Sequence, residues 1–165
     1  MYRYANVEQA VARCQRIPDA GMGAFRARLR HLRHQGVPDV PRPGKGRPVQ
    51  YTLDHAAQLA FALELEALGV PPHPTAKLVH HAWANTDVPH YIKVSVSQPR
   101  FLVMELNFIA EFSERGTDDE IYYSAFDVLS LDDVMAHMRE IGGNRRAATV
   151  INLTAVGDYL RDRLR

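Results

Sequence analysis

Cysteine is nearly absent from this 165-residue chain: Cys14 stands alone, which excludes an internal disulfide and a cysteine-built zinc module. No run of about 18 apolar residues occurs, so no membrane-spanning helix is expected. The opening MYRYANVEQ is polar, which argues against a secretory signal. Glycine-rich phosphate loops, a nucleophile elbow and a Cys–His pairing are also missing, so no enzyme and no cofactor are expected. His73, His80, His81 and His90 cluster near Asp87, yet none forms the His-x3-His pair that would set two rings on one helix face. No metal site is expected there. Glu111, Glu114, Asp118, Asp119 and Glu120 surround Gly116 and read as a solvated acidic loop rather than an acid/base pair. Trp83, Tyr91 and Phe101 read as core.

What is present is a division of charge. Lysine is scarce, three residues, and the cationic role falls to 17 arginines. The net charge of +1 hides an asymmetry: residues 1–52 hold ten Arg/Lys and three Asp/Glu, whereas residues 53–165 hold ten and sixteen. The first segment is therefore +7 and the second −6, which points the N-terminal part toward a polyanion.

The periodicity gives a first helix over Val7–Ile17, with Asn6 as N-cap, Gln9 closing a capping box, and Val7, Ala10, Val11 and Cys14 on its apolar face. After the break at Pro18, Asp19 caps a second helix, Ala20–Gln35, stopped by Gly36. Its apolar stripe is Met22, Phe25, Leu29 and Leu32; Arg26, Arg30 and Arg33 lie to one side of it and Arg28 to the other. Four prolines make residues 37–52 non-helical, and Gly44 and Gly46 permit a tight tip bearing Arg42, Lys45 and Arg47. Thr52 caps a third helix, Leu53–Leu68, ended by Gly69 and apolar nearly all round, so more than one side should be covered. Pro71–Pro74 reads as a rigid connector before a short helix from Thr75 to about Trp83. Beyond it, Tyr91–Ser97 alternates like a half-buried strand. Strands are also expected at Phe101–Phe112, Ile121–Leu129 and Ala147–Leu153, with helices at Leu131–Ile141, capped by Ser130, and Thr154–Leu164. The expected class is α+β: an N-terminal winged helix-turn-helix, residues 1–87, followed by a small antiparallel-sheet-plus-helix domain, residues 88–165.

Residues 6–81 resemble the DNA-binding domain of the MerR-type winged-helix regulators. The likeness lies in an ordered set: helix, short turn, basic helix, basic wing, then GRPVQYTL entering an Ala/Leu helix that leaves through LEALGV. Two departures stand out. The stretch Phe25-Arg26-Ala27-Arg28-Leu29-Arg30 lacks the family's aromatic-rich character, and no long coiled-coil helix follows. The resemblance implies a bacterial, cytoplasmic, nucleoid-associated transcription regulator. It does not extend to promoter untwisting or metal sensing.

On that basis duplex DNA is the expected partner. Arg26, Arg28, Arg30 and Arg33 belong to the helix that would enter the major groove, where Arg pairs with guanine O6 and N7. Arg42, Lys45 and Arg47 would lie on phosphates or in the flanking minor groove. Arg3, Arg13 and Arg16 are weaker phosphate candidates. A homodimer through the C-terminal domain is expected, because the apolar run Phe101–Met104 with Phe108 and Ile109 needs cover. Nothing in the sequence names a small-molecule effector. The competing readings are a phage-type or architectural DNA-binding protein, such as a recombination directionality factor, and a protein-interaction module working through its acidic C-terminal half.

Overall fold

The computed structural model describes residues 1–41, 48–105, 127–141 and 148–164. Within them the chain is an α+β fold of seven α-helices and one small antiparallel sheet: α1 (Tyr4–Cys14), α2 (Met22–His34), α3 (Leu53–Ala67), α4 (Pro72–Asn85), α5 (Val88–Lys93), β1 (Phe101–Glu105), β2 (Asp127–Leu129), α6 (Leu131–Ile141), β3 (Ala148–Asn152) and α7 (Leu153–Arg163). No helix among the described residues is long and apolar enough to cross a membrane.

The centre of the molecule is α3. Thr52 begins it as expected: its hydroxyl accepts the His55 N–H (3.3 Å) while the Thr52 N–H donates to His55 Nδ1 (3.2 Å). This is a capping box with histidine in the position usually held by Glu or Gln. Gly69 ends it at φ +89°, and the Val70 N–H closes back on the Leu65 carbonyl. Every residue from Ala56 to Leu63 is buried, because α1, α2, α4, α5 and α7 all pack around this helix. The polar residues on it tie down neighbours. Gln58 accepts the Asp39 N–H (2.8 Å), holding the chain that leaves α2. Asp54 accepts Trp83 Nε1 of α4 (3.0 Å) and Lys93 Nζ of α5 (3.0 Å).

Three expectations are corrected. First, α1 starts at Tyr4, so Asn6 is inside the helix and caps nothing; Arg3 occupies the cap without a side-chain bond. The paired backbone bonds between Tyr2 and Tyr51 (2.8 and 3.0 Å) and the packed Tyr4 and Tyr51 rings anchor that first turn. Tertiary contacts override the local signal. Second, Pro72 and Pro74 belong to the first turn of α4 rather than to a connector. A proline costs no hydrogen bond there, because first-turn N–H groups have no helical acceptor. Third, Tyr91–Lys93 is helix, not strand: Val88, Pro89 and Ile92 are buried at helical spacing in α5, with Pro89 in its first turn.

Between α2 and α3, residues 37–41 and 48–50 form no strand, and Tyr51 bridges to Tyr2 instead of to the opposite arm. Pro38, Pro41 and Pro48 supply no backbone donors to a ladder. The tip, with Arg42, Lys45 and Arg47, lies outside the described residues, as do residues 106–112 and 121–126 of the expected strands and the acidic loop between them.

The sheet has the order β2-β1-β3, with Leu102 opposite Val128 on one side and Ile151 on the other. Leu102, Met104 and Ile151 join a hydrophobic cluster that runs from Val7 through α3 to Leu164, so residues on both sides of position 87 share one core. Val103, one residue out of phase and so on the opposite face, is buried outside that cluster, as is Val134 of α6.

Candidate nucleic-acid interface

Helix α2 carries four arginines, two histidines and no acidic residue. Phe25, Leu29 and Leu32 face the core and fix its rotation. That rotation leaves Ala27, Arg30, His31 and His34 on the outward side, all exposed. Arg26 and Arg33 flank the row on the side nearest α1, and each has a partner there. Arg26 Nε donates to Glu8 Oε1 (2.8 Å), and the Arg33 guanidinium stands 5.0 Å from the centre of the Tyr4 ring. Arg30 lies between these two and has no partner among the described residues. Arg26, Arg30 and Arg33 are thus brought together as one flank.

Arg28 is turned the other way. Its Nε donates to Glu66 Oε2 (3.1 Å), a carboxylate whose side chain is only 5% exposed near the end of α3. A buried carboxylate that lost this partner would stay uncompensated, so Arg28 is bound into the scaffold more firmly than the other three. Arg13 and Arg16 line a cavity of about 560 Å³ with Cys14, Asn152 and Tyr159, at the junction of α1 with β3 and α7. They do not share the α2 surface. The Cys14 thiol on this side is pushed up to about 11, by burial first and by the Glu64 charge second, so it is a packed and protonated group.

The sequence reading missed the aromatic wall beside α2. An open cavity of about 730 Å³ is lined by Tyr2, Arg3, Tyr4, Arg33, Gln50 and Tyr51 among others, and none of the described residues lining it is acidic. The Tyr4 and Tyr51 rings are 5.5 Å apart, and Tyr51 meets the His55 ring edge-on at 6.0 Å. Burial raises the Tyr4 hydroxyl above its ordinary value, with Glu8 adding to the effect and Arg33 opposing it, so this phenol remains a neutral hydrogen-bond donor. The cavity extends the Arg33 end of the flank to Pro48, the residue that follows the basic tip in the sequence. Tyr2-Arg3-Tyr4, aromatics interleaved with a base, was the signal in the sequence that could have found it.

Chemically, the flank and cavity together offer guanidinium and phenol donors to an anionic ligand longer than one residue. Among the described residues no three His, Cys, Asp or Glu side chains gather as a metal would require. Comparison with protein-family models and with curated proteins finds no match to this chain.

Proposed function

We propose that this chain is a sequence-specific DNA-binding transcription regulator of the MerR-like winged-helix kind, acting on duplex DNA as a homodimer. The observation that carries the reading is the outward row of α2: an acid-free helix whose Arg30 is unpaired among the described residues and flanked by Arg26 and Arg33. In the major groove Arg30 reads a guanine edge by two hydrogen bonds, and the small Ala27 beside it lets the helix approach closely. Arg26 and Arg33 lie against phosphates, and Arg3 with the Tyr2 and Tyr4 hydroxyls takes the backbone beyond the groove. Arg42, Lys45 and Arg47 serve as the wing. Arg28 stays with Glu66 and contributes only to the local field.

The test is a gel-shift titration over a range of salt, after selection of bound sequences from a random pool. About six phosphate contacts per protomer, about twelve for the homodimer, give a log–log slope near −11, since each contact contributes about −0.9. Arg30→Ala should relax the selected motif at one position and cost about 1–3 kcal/mol. Combined Arg3→Ala and Arg33→Ala removes about four contacts from the homodimer, so it should weaken all sequences alike and flatten the slope by about 3.6. Absence of binding at low salt, or a selected motif unchanged by Arg30→Ala, would overturn the proposal. A selected motif whose genomic matches fall at attachment sequences rather than promoters would move the chain to the recombination class.

A further inference from the structure

On α6 the apolar residues point the wrong way for a helix that serves only its own core. Val134 is 6% exposed against the sheet, but Leu131 is 53%, Met135 51% and Met138 42% exposed. Positions 131, 135 and 138 follow the i, i+4, i+7 spacing of one helix face, so the three side chains form a continuous row. Three large apolar groups at that spacing are the usual contact surface of a helix with a facing partner. The charges beside the row identify the partner. Asp132 and Arg139 are seven residues apart, two turns, and so flank the same edge of the row at opposite ends; both are exposed, and neither has an ion pair among the described residues. Asp133 is different, since its carboxylate accepts from Ser130 Oγ (2.6 Å) as part of the N-terminal cap.

We propose that this face of α6 docks on the same face of a second copy of the chain, antiparallel about a two-fold axis near Met135 and Ala136. A surface fits itself under a two-fold only if reversing it exchanges complementary groups. This one does: reversal lays the Met135–Met138 row along itself and brings Asp132 of each copy opposite Arg139 of the other. An apolar row with an acid at one end and a base at the other is its own complement. Methionine suits such a contact because its unbranched side chain adapts to an identical neighbour. The same axis would place two α2 rows on one assembly, as two half-sites need; the inference rests on the homodimer of the proposed function, but the docking itself requires no DNA, so its failure and a failure of DNA binding are read separately.

Sedimentation of the full chain at micromolar concentration, without DNA, tests it. The expected mass is twice 18.6 kDa. Met135→Asp combined with Met138→Asp should give a monomer with unchanged helix content, because both side chains are exposed. Asp132→Arg or Arg139→Asp alone should weaken the dimer about tenfold, by setting like charges opposite each other twice over. The two exchanges together should restore it, a rescue that docking on an unrelated protein would not produce. Should the methionine variant fold poorly, Met135→Cys in a Cys14→Ser background supplies a second readout: a short bis-maleimide should link two copies. A wild-type monomer, a dimer indifferent to the methionine pair, a failed charge rescue or a failed cross-link each overturns the proposal.

Discussion

Arg16 ends α1 with φ at 51°, a left-handed conformation, while the Ile17 N–H reaches back to the Ala12 carbonyl at 2.9 Å. Glycine adopts this conformation without a Cβ clash, whereas an L side chain is strained in it. Arg16→Gly should therefore raise stability by about 0.5–1 kcal/mol, seen as a higher urea midpoint with an unchanged slope. A lower midpoint would mean that the Arg16 side chain contributes more than its backbone costs. At Glu8 the opposing demands are electrostatic. This carboxylate holds Arg26 and stands beside Tyr4, on the surface proposed to meet phosphate. Glu8→Gln should release Arg26 and remove a repulsion, tightening DNA binding about three- to tenfold at low salt and less at high salt. The exposed ion pair it sacrifices is worth at most about 1 kcal/mol of stability. Equal affinity of variant and wild type at low salt would remove Arg26 from the interface. The sequence showed the arginines but not which had partners, because Glu8 and Glu66 meet them only through tertiary packing.

Among the elements, those whose ends are written in local chemistry were legible: α3 between Thr52 and Gly69, and α6 behind Ser130. For α2 the Phe25, Leu29 and Leu32 stripe was legible but the start was not: Asp19 opens a short 3-10 turn, Asp19–Gly21, and α2 begins after Gly21 with no side-chain cap. Tyr91–Ser97 was misread because alternation over a few residues fits either a strand or a short amphipathic turn, and Pro89 in the first turn was the better guide. Only Tyr91–Lys93 of this stretch is helical, in α5, and part of what holds α5 in place lies far along the chain. Gly157 of α7 packs so tightly on α5 that an added Cβ would fall 2.0 Å from the Ile92 carbonyl oxygen, and Arg161 Nη1 donates to that same oxygen. Backbone cannot yield as a flexible side chain does, so Gly157→Ala should destabilise by about 3 kcal/mol or more, measured by denaturant unfolding. A loss under about 1 kcal/mol would mean that α5 and α7 separate at little cost. The cap of α3 adds a pH dependence. Burial lowers the His55 pKa from 6.5, outweighing Asp54 and Asp39, and its neutral Nδ1 accepts the Thr52 N–H. A depressed folded value means that the unfolded chain binds the proton more readily. The stabilisation is therefore present above 6.5 and is lost as pH falls through the lower folded value. His55→Gln, which keeps an acceptor but cannot titrate, should flatten that part of the stability profile; a profile identical to wild type would assign the acid sensitivity elsewhere.

Over the whole molecule, charge and packing divide the chain differently. Charge separates it near residue 52, +7 before and −6 after, and that split gave the expectation of a basic domain followed by an acidic one. Packing ignores it: α7, the last described helix, lies against α1 and α3, and Leu153, Val156 and Leu160 are buried in the same cluster as Val7 and Leu59. Charge is a surface property that sets what the molecule attracts at a distance, whereas the core is decided by which apolar faces find cover. A helix such as α3, apolar nearly all round, requires cover on every side, and part of that cover comes from α5 and α7. Two consequences follow for measurement. The full chain should unfold in a single transition, with the fluorescence of Trp83 and the hydrogen exchange of β1 amides reporting the same free energy. A fragment ending at residue 87 would expose the α5 and α7 side of α3 to water. It should therefore lose cooperative unfolding and aggregate, even though it retains every arginine of the proposed DNA surface. A fragment that melted sharply and kept full DNA affinity would instead make the N-terminal helices an independent domain and reduce the α7 contact to a docking of two separate bodies.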